Sequence, residues 1–558
     1  MTMISRVKWF GLIAILFTTL TVNALPKGQL IRALPVQDGG RIKPFDSFAL
    51  ETLELIHGKS TLNGKPAYEV VMTWLLAPQA WEGQSFFHLD NHEVKKELGL
   101  PKEQKHFTGQ ELFGNEKFST LRQELENRRQ TKEKLTPYYQ AIQRMENQYV
   151  VFSEIASGNM FRAVPPREGT TWVSLRELSN EFQVSFLEMS QGFLAQIGAE
   201  SAGNKDESEA AKEKLDQNVE KFMLRAWGEN TALYPELTKP KLEVYYNIYH
   251  PFRWAYVFYL LAAVTLLLVW IANKQQLMKV VWSLAGFGFF LHVLGFAIRC
   301  YLAGRPPVTN MYETVVWVAF GAIIFGGILE MIYKFRFTLL AGLLVGVFSL
   351  VIADVAPAIL DPSLQPLEPV LRSNYWLIIH VMTITISYAA FFLAFMLGDI
   401  ALIFFAADEI KNREKIKPIV LSIYRAMQIG VAFIAPGIIL GGVWADYSWG
   451  RFWGWDPKET WALIVLLGYI AVLHGRLVGW IKDFGMAASG VLTFSMVIMA
   501  WYGVNFVLGA GLHSYGFGAG GVEYVGTFVL IHLLFVLYVW ITRNARMKIP
   551  AKETTKKK

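Results

Sequence analysis

Six of the ten histidines in this 558-residue chain lie in its apolar second half: His250, His292, His380, His474, His513 and His532. An ionisable side chain inside a membrane span is costly and points to function by default. A neutral imidazole is also the usual protein ligand of haem iron. The structural alternative for each is a histidine hydrogen-bonded between two helices. Among these histidines runs Trp449-Gly-Arg-Phe-Trp-Gly-Trp-Asp-Pro-Lys-Glu-Thr-Trp461, with four tryptophans in thirteen residues. Tryptophan commonly anchors a helix end at a membrane interface, but this density interleaved with glycine exceeds what anchoring needs. An indole-lined surface suits a large flat aromatic ligand.

The elements that must position these residues follow from hydropathy. The chain is 53% hydrophobic with a mean hydropathy of +0.30, the profile of a polytopic membrane protein with a polar portion. Residues 1–24 read as a secretory signal or an uncleaved anchor, with Arg6 and Lys8 before an apolar run and Ala24 at the cleavage position. Residues 25–250 lack a long apolar run and are expected to form a mostly helical extracytoplasmic domain. Residues 251–545 form the membrane domain, with a tryptophan-rich loop at 444–461, and residues 546–558 form a basic cytoplasmic tail. Nine apolar spans are expected near 254–273, 280–301, 312–333, 337–357, 376–406, 426–444, 459–481, 485–508 and 522–542. The fold class is therefore an all-α polytopic membrane protein. Alternation of the spans puts ten Lys and Arg in inner loops and seven more in the tail, against five outside, which satisfies the positive-inside rule. Basic residues at a membrane edge answer to anionic lipid, so the net charge of +7 does not call for nucleic acid.

In that topology the tryptophan run faces outward. His380 lies about one turn inside the outer end of its span. His513 sits in the uncharged outer loop Gly509-Ala-Gly-Leu-His-Ser-Tyr-Gly-Phe-Gly-Ala-Gly-Gly521, whose glycines let backbone approach a ligand. Two imidazoles beside an aromatic platform would make a bis-His haem site open to the outside. His474 is fifteen residues into its span, roughly 22 Å from the outer edge. His292 and His532 fall near mid-span. Trp444 and Trp461 bracket the platform made by Trp449, Trp453 and Trp455, with Asp456 beside it to orient a haem-facing group, to pair with Arg451, or to form a plain Asp-Pro turn. Arg299 and Arg305 can pair bidentately with haem propionates or simply anchor the interface. Cys300 is the only cysteine, so the chain has no dithiol to cycle and no Cys-x-x-Cys-His of its own.

The tryptophan run, its Asp-Pro-Lys-Glu-Thr-Trp continuation and the placed histidines over about residues 280–542 resemble the CcsA/ResC family. That family is the membrane subunit of system II cytochrome c synthetase and carries the WWD signature. The resemblance implies cytochrome c biogenesis. Haem b, as substrate and transient ligand, would be held by His474 at an inner site. It would then be displayed outside against Trp449, Trp453 and Trp455, with iron ligated by His380 and His513. Thioethers to an apocytochrome c would form there, without a side-chain acid or base. A second inner ligand would come from His292, His532 or a CcsB/ResB-like subunit. A thioredoxin-like protein would keep the thiols reduced. The expected location is the bacterial cytoplasmic (inner) membrane. The Pro457-Lys-Glu-Thr460 sequence departs from the haem-chaperone branch. Alternatives from other classes are a b-type electron-transfer cytochrome with a permanent bis-His haem, and a haem transporter without ligase activity.

Overall fold

The computed structural model describes residues 25–131, 135–357, 359–366, 375–508 and 521–547. These divide into two compact units, Met1–Tyr249 with Ser363–Pro366, and His250–Pro362 with Leu367–Lys558.

The first unit is helical with three two-stranded antiparallel ribbons among its described residues. The ribbon β1 (Pro35–Asp38) and β2 (Arg41–Pro44) turns at Gly39 and Gly40, both in the left-handed region. Helices α1 (Phe45–His57) and α2 (Ala67–Leu76) follow, with β3 (Thr61–Leu62) and β4 (Lys65–Pro66) between them. Strands β5 (Phe87–His88) and β6 (His106–Phe107) flank α3 (His92–Leu98). Then come α4 (Gly109–Phe113), α5 (Glu116–Gln130), α6 (Pro137–Ala156), α7 (Asn180–Ser201), α8 (Lys205–Glu229) and α9 (Thr238–Tyr249). Their apolar faces close one core around Phe45, Trp74, Phe86, Phe107 and Trp172. Lys43 is buried beneath the β1–β2 ribbon and contacts Asp38 (2.8 Å) and Glu51 (2.5 Å). Arg41 grips Glu243 bidentately. A buried charge is tolerable only when paired in this way.

The second unit is a polytopic helical membrane body. Nine helical stretches among the described residues are long and apolar enough to cross a bilayer. The first, Thr238–Ala272, includes α10 (Pro251–Ala272). The others are α11 (Leu277–Ala303), α12 (Met311–Tyr333), α13 (Phe337–Val355), α14 (Tyr375–Asp408), α15 (Arg413–Trp449), α16 (Pro457–Leu477), α17 (Asp483–Leu508) and α18 (Val522–Met547). Helix α14 is the axis of this unit, with 67% of its apolar window buried, whereas α18 is peripheral at 11%. Small residues let the axis be approached closely: a Cβ at Gly398 would stand 2.9 Å from the Ala487 carbonyl, and one at Gly490 the same distance from that of Ala394.

One element differs from the expectation. The sixth span, expected at 426–444, is a 37-residue helix that runs from Arg413 to Trp449 and passes through Pro418 and Pro436. The tryptophan-rich loop correspondingly shrinks from 444–461 to the seven residues 450–456. Trp444 and Trp449 are helical, and Pro457 already begins α16.

Candidate functional site

The short loop between α15 and α16 is built around one carboxylate. Gly450, with φ +68°, ends α15. Asp456 then caps α16, its side chain accepting from Lys458 N (3.1 Å), and Glu459 closes a capping box. Glu459 does more than cap. Its Oε2 accepts from the backbone N–H of Gly454 (2.8 Å) and Asp456 (3.1 Å), and its Oε1 pairs with Arg451 Nη1 (3.0 Å). These bonds flank Trp455, which sits at φ +58°, a conformation that costs a non-glycine residue about 1–2 kcal/mol. Trp455 is thereby turned outward, 69% exposed, and meets Trp453 edge-on at 5.7 Å between centroids. Arg451 lies over the Trp449 ring.

The five tryptophans therefore have different surroundings. Trp444 is buried and packs against Trp449 at 4.6 Å. Trp453 and Trp444 line a cleft, Trp455 is presented to the surroundings, and Trp461 packs against the membrane core. The cleft has a cavity volume of about 180 Å³ and is open at its mouth. Its walls come from the start of α12, from α14 through His380 and Tyr388, from α15 at Gly441 and Gly442, from the α16 start at Lys458, and from α17 at Trp501 and Asn505.

His380 is held in one tautomer. Its Nδ1 donates to the Gly437 carbonyl at 2.7 Å, so in the neutral ring the lone pair is on Nε2, as metal ligation requires. The ring fits because α15 has glycine where it leans. A Cβ at Gly441 would be 2.6 Å from His380 Cε1, and one at Gly437 would be 3.2 Å from Ile384 backbone. Gly437 and Gly441, four apart on one helix face, make the recess.

The two arginines separate. Arg299 is buried, donates to Glu313 Oε1 (2.9 Å) and to the Pro362 carbonyl (2.8 Å), and does not line the cleft. Arg305 does line it. Its Nη1 bonds Thr309 Oγ1 and pairs with Glu313 Oε2 at 3.3 Å. Glu313 also accepts from Thr309 N and Oγ1, both at 2.9 Å, and thus ties both arginines to the α12 start.

The remaining histidines are elsewhere. His474 is exposed on α16, its Nδ1 donating to Ile470 O (2.8 Å), about 26 Å along the helix from Pro457. His292 is fully buried: its Nε2 faces the Val316 carbonyl and its Nδ1 the Tyr259 hydroxyl, each at 3.2 Å. Nε2 thus donates to the carbonyl, and the Nδ1 lone pair faces the Tyr259 hydroxyl. His532 faces Phe528 O (2.7 Å) with Nδ1 and Asp399 Oδ2 (3.4 Å) with Nε2, so it too is committed to acceptors. His513 lies outside the described residues. Among the described residues no cluster of three or more His, Cys, Asp or Glu is placed to hold a bare metal ion.

Residues 308–513, which supply the cleft lining named above except Arg305, match the family model described as "Cytochrome C assembly protein". The CcsA protein of Chlamydomonas reinhardtii is 36% identical over 249 residues, 42% of this chain and 67% of that protein. That of Parasynechococcus marenigrum is 30% identical over 292 residues, 47% of this chain and 95% of that protein. The chain belongs to the CcsA family of cytochrome c biogenesis proteins. It also resembles Protein NrfI of Wolinella succinogenes, 29% identical over 504 residues. That match takes in 86% of this chain but only 53% of NrfI, so the chain spans about half the length of that relative. The CcsA matches are of the size of the membrane body alone, whereas the NrfI match is long enough to include most of the first unit as well.

Sequence reasoning missed several residues of the CcsA-family cleft. Gly437 and Gly441 had a visible signal only in their i, i+4 spacing. Lys458 and Glu459 were read as part of a motif without separate roles, and Asn505 had none.

Proposed function

We propose that this chain works in cytochrome c biogenesis by seating haem b in the cleft and presenting it to an apocytochrome c. The observation that carries this reading is His380, with its Nδ1 tied to Gly437 so that Nε2 is the ligating nitrogen, in a cleft walled by Trp444 and Trp453. Haem here is substrate. Its flat macrocycle stacks on indole, its iron takes the imidazole, and Arg305 at the mouth answers a propionate. Covalent attachment then needs no acid or base from the chain. Each thiol of a Cys-x-x-Cys-His segment adds across one vinyl group: the sulfur–carbon bond forms, the vinyl π bond is consumed, and the thiol hydrogen goes to the neighbouring carbon. The protein supplies proximity and orientation.

In this reading the tryptophan end faces the outside of the bacterial inner membrane, and His513 is the second axial ligand. His474, exposed on the far part of α16, is the ligand of a haem that enters from the inner side. A second subunit of the CcsB/ResB kind completes that inner site in this reading, since His292 and His532 are both engaged in hydrogen bonds within the bundle. Cys300 alone cannot cycle as a dithiol, so a thioredoxin-like protein keeps the substrate thiols reduced.

Absorption spectra of the purified full chain, with haem-stained product from a co-expressed reporter apocytochrome, test the reading. His380→Gly is expected to lose the low-spin haem spectrum and most product, and imidazole in the medium should restore both. A variant that keeps wild-type haem and product without imidazole overturns it.

A further inference from the structure

Helix α17 does not end as an α-helix. From Met499 to Leu508 its backbone is π-helical, a rare geometry that recurs at functional sites. The widened segment turns Trp501 and Asn505 into the cleft. Trp501 is pinned there, its Nε1 donating to Thr314 Oγ1 at 3.1 Å. Asn505 Nδ2 donates to the Trp501 carbonyl at 3.0 Å, which fixes the direction of the amide. Its Oδ1 is then buried, with no hydrogen-bond partner among the described residues. A buried acceptor left without a donor is costly, and this one borders a cleft in which a ligand can supply the donor.

The chemistry of the missing donor can be stated. Iron porphyrin with ionised propionates offers carboxylate oxygens, metal-bound nitrogens and C–H edges, and no N–H or O–H. Haem therefore cannot satisfy Asn505. The other substrate can, since a cysteine-bearing peptide brings backbone N–H and thiol S–H groups to the same place. We propose that Asn505 is a specificity-determining residue for the apocytochrome segment, its Oδ1 accepting a hydrogen bond from that peptide beside the seated haem. The proposal rests on the haem reading above and assigns the α17 wall of the cleft to the second substrate.

The test uses the haem-loaded full chain and a synthetic peptide containing Cys-x-x-Cys-His. Haem absorbance, peptide affinity and KM for thioether formation are read in wild type, Asn505→Leu and Asn505→Ser. Leucine fills the space but accepts nothing. It should leave the haem spectrum unchanged and raise the peptide KM about three- to tenfold, the loss of one ordinary hydrogen bond. Serine, which can both donate to Trp501 O and accept, should recover much of that loss. An S-methylated peptide distinguishes the donors in direct binding. If the wild-type-to-leucine ratio persists, the donor is backbone N–H; if it vanishes, the donor is S–H. A leucine variant with wild-type KM and affinity overturns the proposal, and so does one whose haem content falls in step with its product. If wild type itself binds no haem, the functional reading fails, and peptide affinity alone still decides the role of Asn505.

Discussion

Gly441 lacks a side chain where the His380 ring lies, and this vacancy is as much a part of the site as the imidazole. Gly441→Ala would push a methyl to 2.6 Å from Cε1 and force the ring off its bond to Gly437. Overpacking of this kind costs about 1–3 kcal/mol. The expected outcome is haem affinity lower by roughly tenfold or more, measured by haemin titration, with the helical content of wild type. The arginines should separate in the same way. Arg299→Met leaves Glu313 buried beside a single weaker partner and should destabilise the membrane body by about 3–5 kcal/mol in thermal unfolding. Arg305→Gln keeps the Arg299–Glu313 pair. It should unfold like wild type yet no longer distinguish haem from its dimethyl ester. At this scale the sequence showed which residue types were unusual for a membrane but not their partners. Arg299 and Arg305 look alike in a row of letters, and only the fold around Glu313 separates a buried tie from a cleft cation. His292 was equally opaque, because its two partners, Tyr259 and Val316, come from different helices.

Between residue and bundle, the unit that matters is the seven-residue loop with the caps on either side. Glu459 accepts two backbone N–H groups and one guanidinium, so the positions of Trp453 and Trp455 depend on one side chain. Glu459→Ala is expected to abolish product while sparing the fold of the membrane body. Asp456→Ala removes only the cap, about 1 kcal/mol, and should lower product modestly. Tryptophan fluorescence quenching by a soluble quencher, rising in the first variant more than in the second, checks the order. Element existence was largely legible, since nine apolar stretches long enough to span are a matter of composition. Boundaries were not. The charged run from Arg413 to Arg425, with Pro418 in it, looked like a loop, yet membrane packing carries the helix through it and on through Pro436. At its other end the helix runs on to Trp449, which takes Trp444 and Trp449 out of the expected loop and sets their rings edge-on at 4.6 Å.

Across the whole molecule the two units respond to different variables. The first has three clustered imidazoles, with His57 and His106 rings at 4.3 Å and His88 and His106 at 5.4 Å. Burial depresses His57 and pushes His88 down to about 4, although Asp90 at 3.1 Å opposes the shift of His88. Both are therefore neutral when folded near pH 7 and protonate more readily when unfolded. Their contribution is complete above about pH 6.5, the unperturbed imidazole value, and is lost progressively as pH falls toward 4. For His88 that loss is on the order of 2–3 kcal/mol after allowance for its partial exposure. Protection factors for peptides covering 86–107 in the full chain, taken against the intrinsic exchange rate at each pH, should fall at pH 5 relative to pH 7.5, and unchanged protection would contradict this. The sequence disclosed that this region is polar and helical but gave no sign of the cluster, because β5 and β6 bring His88 and His106 together from eighteen residues apart.

Helix α18 touches the rest of its unit sparsely, yet it brings Arg543 to Glu409 and His532 to Asp399. Chains are made from the amino end, so α18 leaves the ribosome well after α14. Until it arrives, Asp399 in α14 lacks its His532 partner. Arrival of α18 and pairing of Asp399 are the same event, and a chain stopped short of Val522 would announce itself to the quality-control proteases of the membrane.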